Sequence, residues 1–277
     1  MLWFNLASSR RGAGVAREER FPRRTRRAFL GADATAVETL EGRQLLSVSA
    51  STLAGRAAMV GTVSTYETLS GNTVILEDTQ TVLGPATFDG QNVVDTEDVG
   101  GPPDGSTNVT THSFATINGA GWLVYGTTGM TETGGTQSSD RTTFSPPEVV
   151  LPGTMAVGTP YMEHTTATEQ VTTANAVTTI VTQSSTVLTL EPGKHSVKVP
   201  AGRFMAYAVD ETITTSTSTT VTAAGNAITT TSGPVTNIAT EYYAPKVGLV
   251  EYAVGASGDV ELVSQGHGAK GTHSRHK

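Results

Sequence analysis

The sequence predicts an all-β protein: a large, strongly curved antiparallel sheet, or an open barrel or sandwich of long hairpins, with about a dozen strands. Three observations carry this. Threonine supplies 48 of the 277 residues, and its β-branched side chain suits a pleated sheet better than a helix. Glycine-containing reversals recur at short intervals after residue 57, each able to supply the positive φ that tight turns need. Nothing after residue 57 sustains the apolar spacing of a long helix.

Taken in order, strands are expected at 57–69 and 73–82, joined at Ser70-Gly71-Asn72. Short strands at 86–88 and 91–95 flank Asp89-Gly90, a dipeptide that tolerates the left-handed region at both positions. The loop 100–105 contains Pro102 and Pro103, which cannot donate to a ladder. Strands 106–117 and 122–131 flank Asn118-Gly119, the clearest hairpin signal in the chain. A Gly/Ser loop at 134–140 leads to a strand at 141–144. Pro146, Pro147 and Pro152 then mark 145–159 as an extended crossover between two halves of the sheet. Long strands follow at 161–173 and 176–190, with a turn at Glu191-Pro192-Gly193-Lys194. The strands 195–199 and 203–222 flank Pro200-Ala201-Gly202, and Met205, Tyr207, Val209 and Ile213 alternate as a half-buried strand requires. Strands at 227–231, 235–243, 247–254 and 260–264 complete the series. Residues 214–222 are almost entirely Thr and Ser, so the far ends of these hairpins are expected to project from the core or to move.

Charge divides the chain into three. Residues 1–56 carry ten arginines against five acids, residues 57–265 carry five bases against twenty acids, and the last twelve residues are again basic, with three of the six histidines. The expected organisation is a basic export leader at 1–56, disordered or helical and then processed, one antiparallel β domain at 57–265, and a disordered tail at 266–277. A body with a net charge of −15 repels polyphosphate, so nucleic acid is excluded as a partner. The absence of cysteine excludes disulfides, thiolate metal sites and a cysteine nucleophile. No run of eighteen apolar residues is present, so no transmembrane helix is expected.

Three parts of the chain bear resemblances. Leu40-Glu41-Gly42-Arg43-Gln44-Leu45-Leu46-Ser47, downstream of the arginine-rich stretch, resembles the N-terminal LEPR-XLL motif of planctomycete extracytoplasmic proteins, with Gly42 in place of the proline. The preceding Arg26-Arg27-Ala28-Phe29-Leu30 resembles a twin-arginine signature, but Asp33, Glu38 and Glu41 follow where an apolar stretch belongs. The resemblance implies export to the periplasm, the cell surface or the medium, with cleavage near Ala50 among small residues. Farther on, Val199-Pro200-Ala201-Gly202-Arg203-Phe204 and Tyr242-Tyr243-Ala244-Pro245-Lys246-Val247-Gly248-Leu249-Val250 resemble uncharacterised bacterial envelope β-proteins with a YYAPGVGLV-like segment. That resemblance implies a curved sheet of long strands and no activity. Lys246 stands where the motif has glycine, which puts the tight turn there in question.

The chemistry-bearing residues do not assemble in sequence. His112, His164 and His195 fall on different strands without metal-ligand spacing, and no Gly-x-Ser-x-Gly elbow or phosphate loop occurs. Asp89, Asp95, Glu97, Asp98 and Asp104 lie close together but do not keep EF-hand spacing. Neither a cofactor nor a metal is expected. The function expected is that of an exported, non-enzymatic cell-envelope protein with a structural or binding role. Trp122, Tyr207, Tyr242 and Tyr252 would line a groove for a lipid-like ligand or a partner strand. The alternatives are an extracytoplasmic hydrolase built around one of the three histidines, and an adhesin module.

Overall fold

The computed structural model describes residues 47–267 apart from 174, 224 and 255–257, all of them within the unit Leu45–Lys277. The elements are β1 (Ser47–Ser49), α1 (Ala50–Ala54), a 3-10 turn (Gly55–Ala58), β2 (Thr62–Ser70), β3 (Thr73–Phe88), β4 (Gln91–Gly101), β5 (Thr107–Asn118) and β6 (Gly121–Thr133). They continue with β7 (Thr136–Pro152), β8 (Thr154–Ala156), β9 (Pro160–Thr172), β10 (Val177–Leu190), β11 (His195–Val199), β12 (Gly202–Ala223), β13 (Asn226–Ala244), β14 (Gly248–Ala253) and β15 (Asp259–His267).

The sheet runs β10-β9-β7-β6-β5-β4-β3-β2-β15-β14-β13-β12, antiparallel throughout, and β12 then pairs back onto β10. That last ladder joins Val177–Leu190 to residues 209–222 and closes a barrel of twelve strands. Beyond the ring, β11 borders the first residues of β12. The expected fold class holds, and the barrel is closed rather than open.

Local chemistry explains the reversals. Asp89 and Gly90 have φ of 47° and 79°, the paired positive values that a two-residue hairpin of this hand demands. At the YYAPGVGLV-like segment the tight turn survives the loss of glycine. Lys246 takes φ 70°, and Val247 N–H donates to the Ala244 carbonyl at 3.0 Å.

One end of the barrel is filled by the chain that precedes β2. Ser49 caps α1, its Oγ accepting from Thr52 N–H at 3.3 Å, and β1 pairs with β8. Val48, Ala50 and Leu53 pack there against Leu151, Met155, Leu188, Leu190, Val209 and Tyr243. Gly55 (φ 54°) lies so close to the 245–248 turn that an added Cβ would stand 2.6 Å from Val247 N.

Several expectations need correction. The leader drawn at 1–56 overlaps the body, because residues 47–56 supply this plug. Ala50, near which cleavage was expected, is buried in it. Residues 1–46, with the remainder of the export motif, lie outside the described residues, as does 268–277. The crossover expected at 145–159 is strand for most of its length. The β7–β9 ladder ends at Ser145 and the β6–β7 register breaks between Thr143 and Glu148, so Pro146 and Pro147 sit in a bulge without a ladder partner, which prolines tolerate. The Thr-rich residues 214–222 are held in β12 between β10 and β13, while the facing stretch of β13 is exposed along its whole length, so that the far end of this hairpin stands clear of the core as expected.

Left-handed backbone costs a side-chain-bearing residue about 1 kcal/mol relative to glycine. Lys246→Gly is therefore expected to raise unfolding stability by about that amount, read as a shift in the urea midpoint with unchanged slope.

Candidate functional site

Residues directly opposite one another in a ladder share a face, so register alone sorts the barrel wall into inner and outer sides. The buried Tyr243, Val209, Leu188 and Leu190 fix the inner side. Following the pairs around the ring places eight carboxyl groups on it. Glu241 stands opposite Val209, and Glu211 opposite Leu188. Glu163 faces Thr186 across β9 and β10, with Glu169 opposite Thr142 and Asp140 opposite Val171. Glu148 faces Val124, Asp98 faces Thr111, and Asp78 faces Tyr66. All six lysines and arginines among the described residues are exposed: Arg56, Arg141, Lys194, Lys198, Arg203 and Lys246. Twelve strands enclose more space than side chains fill in an eight-stranded barrel. The candidate site is this acidic lumen above the apolar plug.

Partial hydrogen bonding holds the carboxyl groups in place. The Tyr243 hydroxyl donates to Glu241 Oε2 at 2.8 Å, and Tyr252 hydrogen-bonds Glu211. Val149 N–H donates to Glu163 at 3.0 and 3.1 Å. Several lumen-facing oxygens have no partner among the described residues. These are Asp78 Oδ2, Asp98 Oδ1 and the hydroxyls of Thr62, Thr68 and Thr165, and those three threonines are almost wholly buried. Orphaned buried acceptors are costly and therefore rare in folded proteins.

Burial is the largest influence on every one of these acids. It pushes Asp78 up to about 7, helped by the charge of Asp98, and Asp98 up to about 6. It pushes Glu163 up to about 7, against the Val149 hydrogen bonds and with the help of Glu148 and Glu211. Glu241 and Glu211 are both raised, first by burial and then by neighbouring acids. Glu148, Asp140 and Glu169 move in the same direction.

The aromatic residues singled out in the sequence do not form one lining. Trp122 and Tyr207 pack against the apolar plug. Tyr252 is buried and faces the lumen beside Glu241. Tyr242, adjacent to inward Tyr243, points to the outer side, where its ring meets His195 edge-on at 6.1 Å. The three histidines stay apart. His112 lies between Asp95 (3.1 Å) and Glu97 (3.7 Å) on the outer wall, with no Ser or Thr hydroxyl bonded to its ring among the described residues, while His164 and His195 are exposed. The acidic run at 89–104 is split by strand alternation: Asp89 pairs with Arg141, Asp98 faces inward, and Asp104 accepts from Ser106 N–H.

Sequence reasoning missed the lumen acids, though a signal was present. Glu211 shares parity with Val209 and Ile213, and Glu241 with Ala239 and Tyr243, which puts each on the apolar side of its strand.

No protein-family model matches the chain, and no curated protein does. Among solved structures it is similar to a protein classed as a lipoprotein, from Parabacteroides distasonis, at 12% identity over 76% of this chain and 96% of that one, with a TM-score of 0.33. It is likewise similar to a protein classed as exported, with a YmcC-like fold, from Bacteroides fragilis, at 11% identity over 75% of this chain and 96% of that one, also with a TM-score of 0.33. At such scores neither likeness carries an inference. No helix among the described residues is long and apolar enough to cross a membrane.

The pH dependence follows from the raised carboxyl groups. In the unfolded chain these ionise near about pH 4, so their protonated form contributes stability that is complete below that value. The contribution is lost as pH rises through the folded values of about 6 to 7 and above. The melting temperature of the ligand-free chain is expected to fall steadily between about pH 5 and 8. Glu241→Gln should flatten that slope in differential scanning fluorimetry.

Proposed function

We propose that the chain is an exported, non-catalytic binding protein of the bacterial cell envelope whose barrel receives a small, extended polycation such as a polyamine. The observation that carries this reading is the lumen wall, which among the described residues has eight inward carboxyl groups, no inward base, and buried oxygens without partners. An ammonium-bearing ligand supplies both the positive charge and the donors that such a wall lacks. Among the described residues no three His, Cys, Asp or Glu side chains gather closely enough to hold one metal ion. The charge is spread over the wall, which suits several amines along a chain better than a single cation.

Export rests on the LEPR-XLL-like motif at residues 40–47. A non-catalytic role is favoured by the separation of the three histidines on the wall. The lipid-like ligand expected from the aromatic residues is the weaker reading, because Trp122 and Tyr207 are taken up by the plug and an acyl chain would desolvate the carboxyl groups without pairing them.

Titration calorimetry of the full-length chain with spermidine at pH 7.5 tests the reading. Binding is expected, with proton release seen as a buffer-dependent enthalpy, because the cation draws raised carboxyl groups into their ionised form. Glu163→Gln and Asp78→Asn should each weaken it about tenfold or more. Heat from lysophospholipid in place of spermidine, or binding that these variants leave unchanged, would contradict it.

A further inference from the structure

Strand β13 departs from the way sheets normally protect their margins. Every residue from Asn226 to Ile238 is exposed. Over that stretch the strand is paired, among the described residues, only to β12, since its ladder with β14 begins at Thr240. Long free edges are usually blunted by lysines or other charges, because their unpaired backbone groups recruit further strands. Here residues 226–240 contain no charged side chain, and Ile228, Val235 and Ile238 are 70%, 53% and 68% exposed. Pro234 alone interrupts the row of donors.

We propose that this edge joins two copies of the chain, β13 against β13, antiparallel about a two-fold axis. Charge selects the occupant. Elsewhere the surface repels a second copy: Glu77, Glu67, Glu261 and Glu251 stand directly opposite one another across β3, β2, β15 and β14, in a body of net charge −15. By contrast β10 and residues 212–223 of β12 carry no charge either, so the panel bordering β13 is the neutral part of the wall. A basic partner would be drawn to the acidic faces, whereas a neutral Thr/Ile edge fits another neutral Thr/Ile edge. Its side chains already make the required contacts within one chain, with hydroxyl pairs at Thr214–Thr236 (2.9 Å) and Thr220–Thr229 (2.8 Å). A two-fold axis at Thr229 pairs the run 226–232 with itself, clear of Pro234, as an isologous interface requires.

Because the chain has no cysteine, a single introduced one is a clean probe. The full-length chain should run as a dimer in size-exclusion chromatography with light scattering. Thr229→Cys should form an interchain disulfide at least about tenfold faster than Met162→Cys on the exposed outer wall, since paired strands hold the two thiols at high effective concentration. Ile228→Lys with Ile238→Lys should give a monomer with unchanged circular dichroism. A monomeric native chain in which the two cysteine variants cross-link at equal rates would overturn the proposal. In a monomer, hydrogen-exchange protection of those amides of 226–238 that point away from β12 would overturn it too, by showing that another segment or another protein covers the edge.

Discussion

The ladder between β10 and β12 is the contact on which the other features depend. Residues 177–190 and 209–222 pair without a register break, and that pairing turns a curved sheet into an enclosure with two distinct sides. Without it the inward acids would face water and titrate as ordinary carboxyl groups. With it, alternation along each strand becomes a division between lumen and solvent. Threonine makes the long ladders feasible, because it is β-branched enough to favour strand geometry and polar enough to face either side.

The interior is correspondingly split. At the plugged end Leu53, Leu151, Leu188, Leu190 and Val209 form a conventional apolar core. Next to it Tyr243 and Tyr252 hydrogen-bond Glu241 and Glu211, and elsewhere on the inner face lie Asp and Thr oxygens without partners among the described residues. Such groups weaken a fold unless something compensates for them, and proteins tend to accept this kind of local conflict at sites that serve a function. Protonation relieves part of the conflict in the ligand-free chain, and a cationic ligand would relieve the rest. The same features that disfavour stability at neutral pH thus favour binding there.

Much of the architecture was legible from composition and turn chemistry. Thr-rich runs separated by Asp89-Gly90, Asn118-Gly119 and Pro200-Ala201-Gly202 fix long antiparallel hairpins, and the strand count follows from them. Closure was not legible, because neither the β10–β12 ladder nor the β15–β2 ladder is set by a tight turn. The prolines at 146 and 147 do mark a break in the ladders, but as a bulge within β7 and not as a crossover, a distinction that sequence alone does not make. At the site, aromatic residues drew attention while the informative pattern was acids sharing parity with Val209, Ile213, Ala239 and Tyr243. Strand alternation puts adjacent Tyr242 and Tyr243 on opposite faces, and the inward member is Tyr243 rather than Tyr242.

The central claim, that the barrel interior raises its carboxyl groups well above their ordinary range until a cation enters, is tested most directly by carbon-detected NMR of the Asp and Glu side chains across pH. The account predicts midpoints between about 6 and 8 for Asp78, Asp98, Glu163, Glu211 and Glu241, falling toward ordinary values when spermidine is added. Midpoints near about 4 for all five in the ligand-free chain would contradict it.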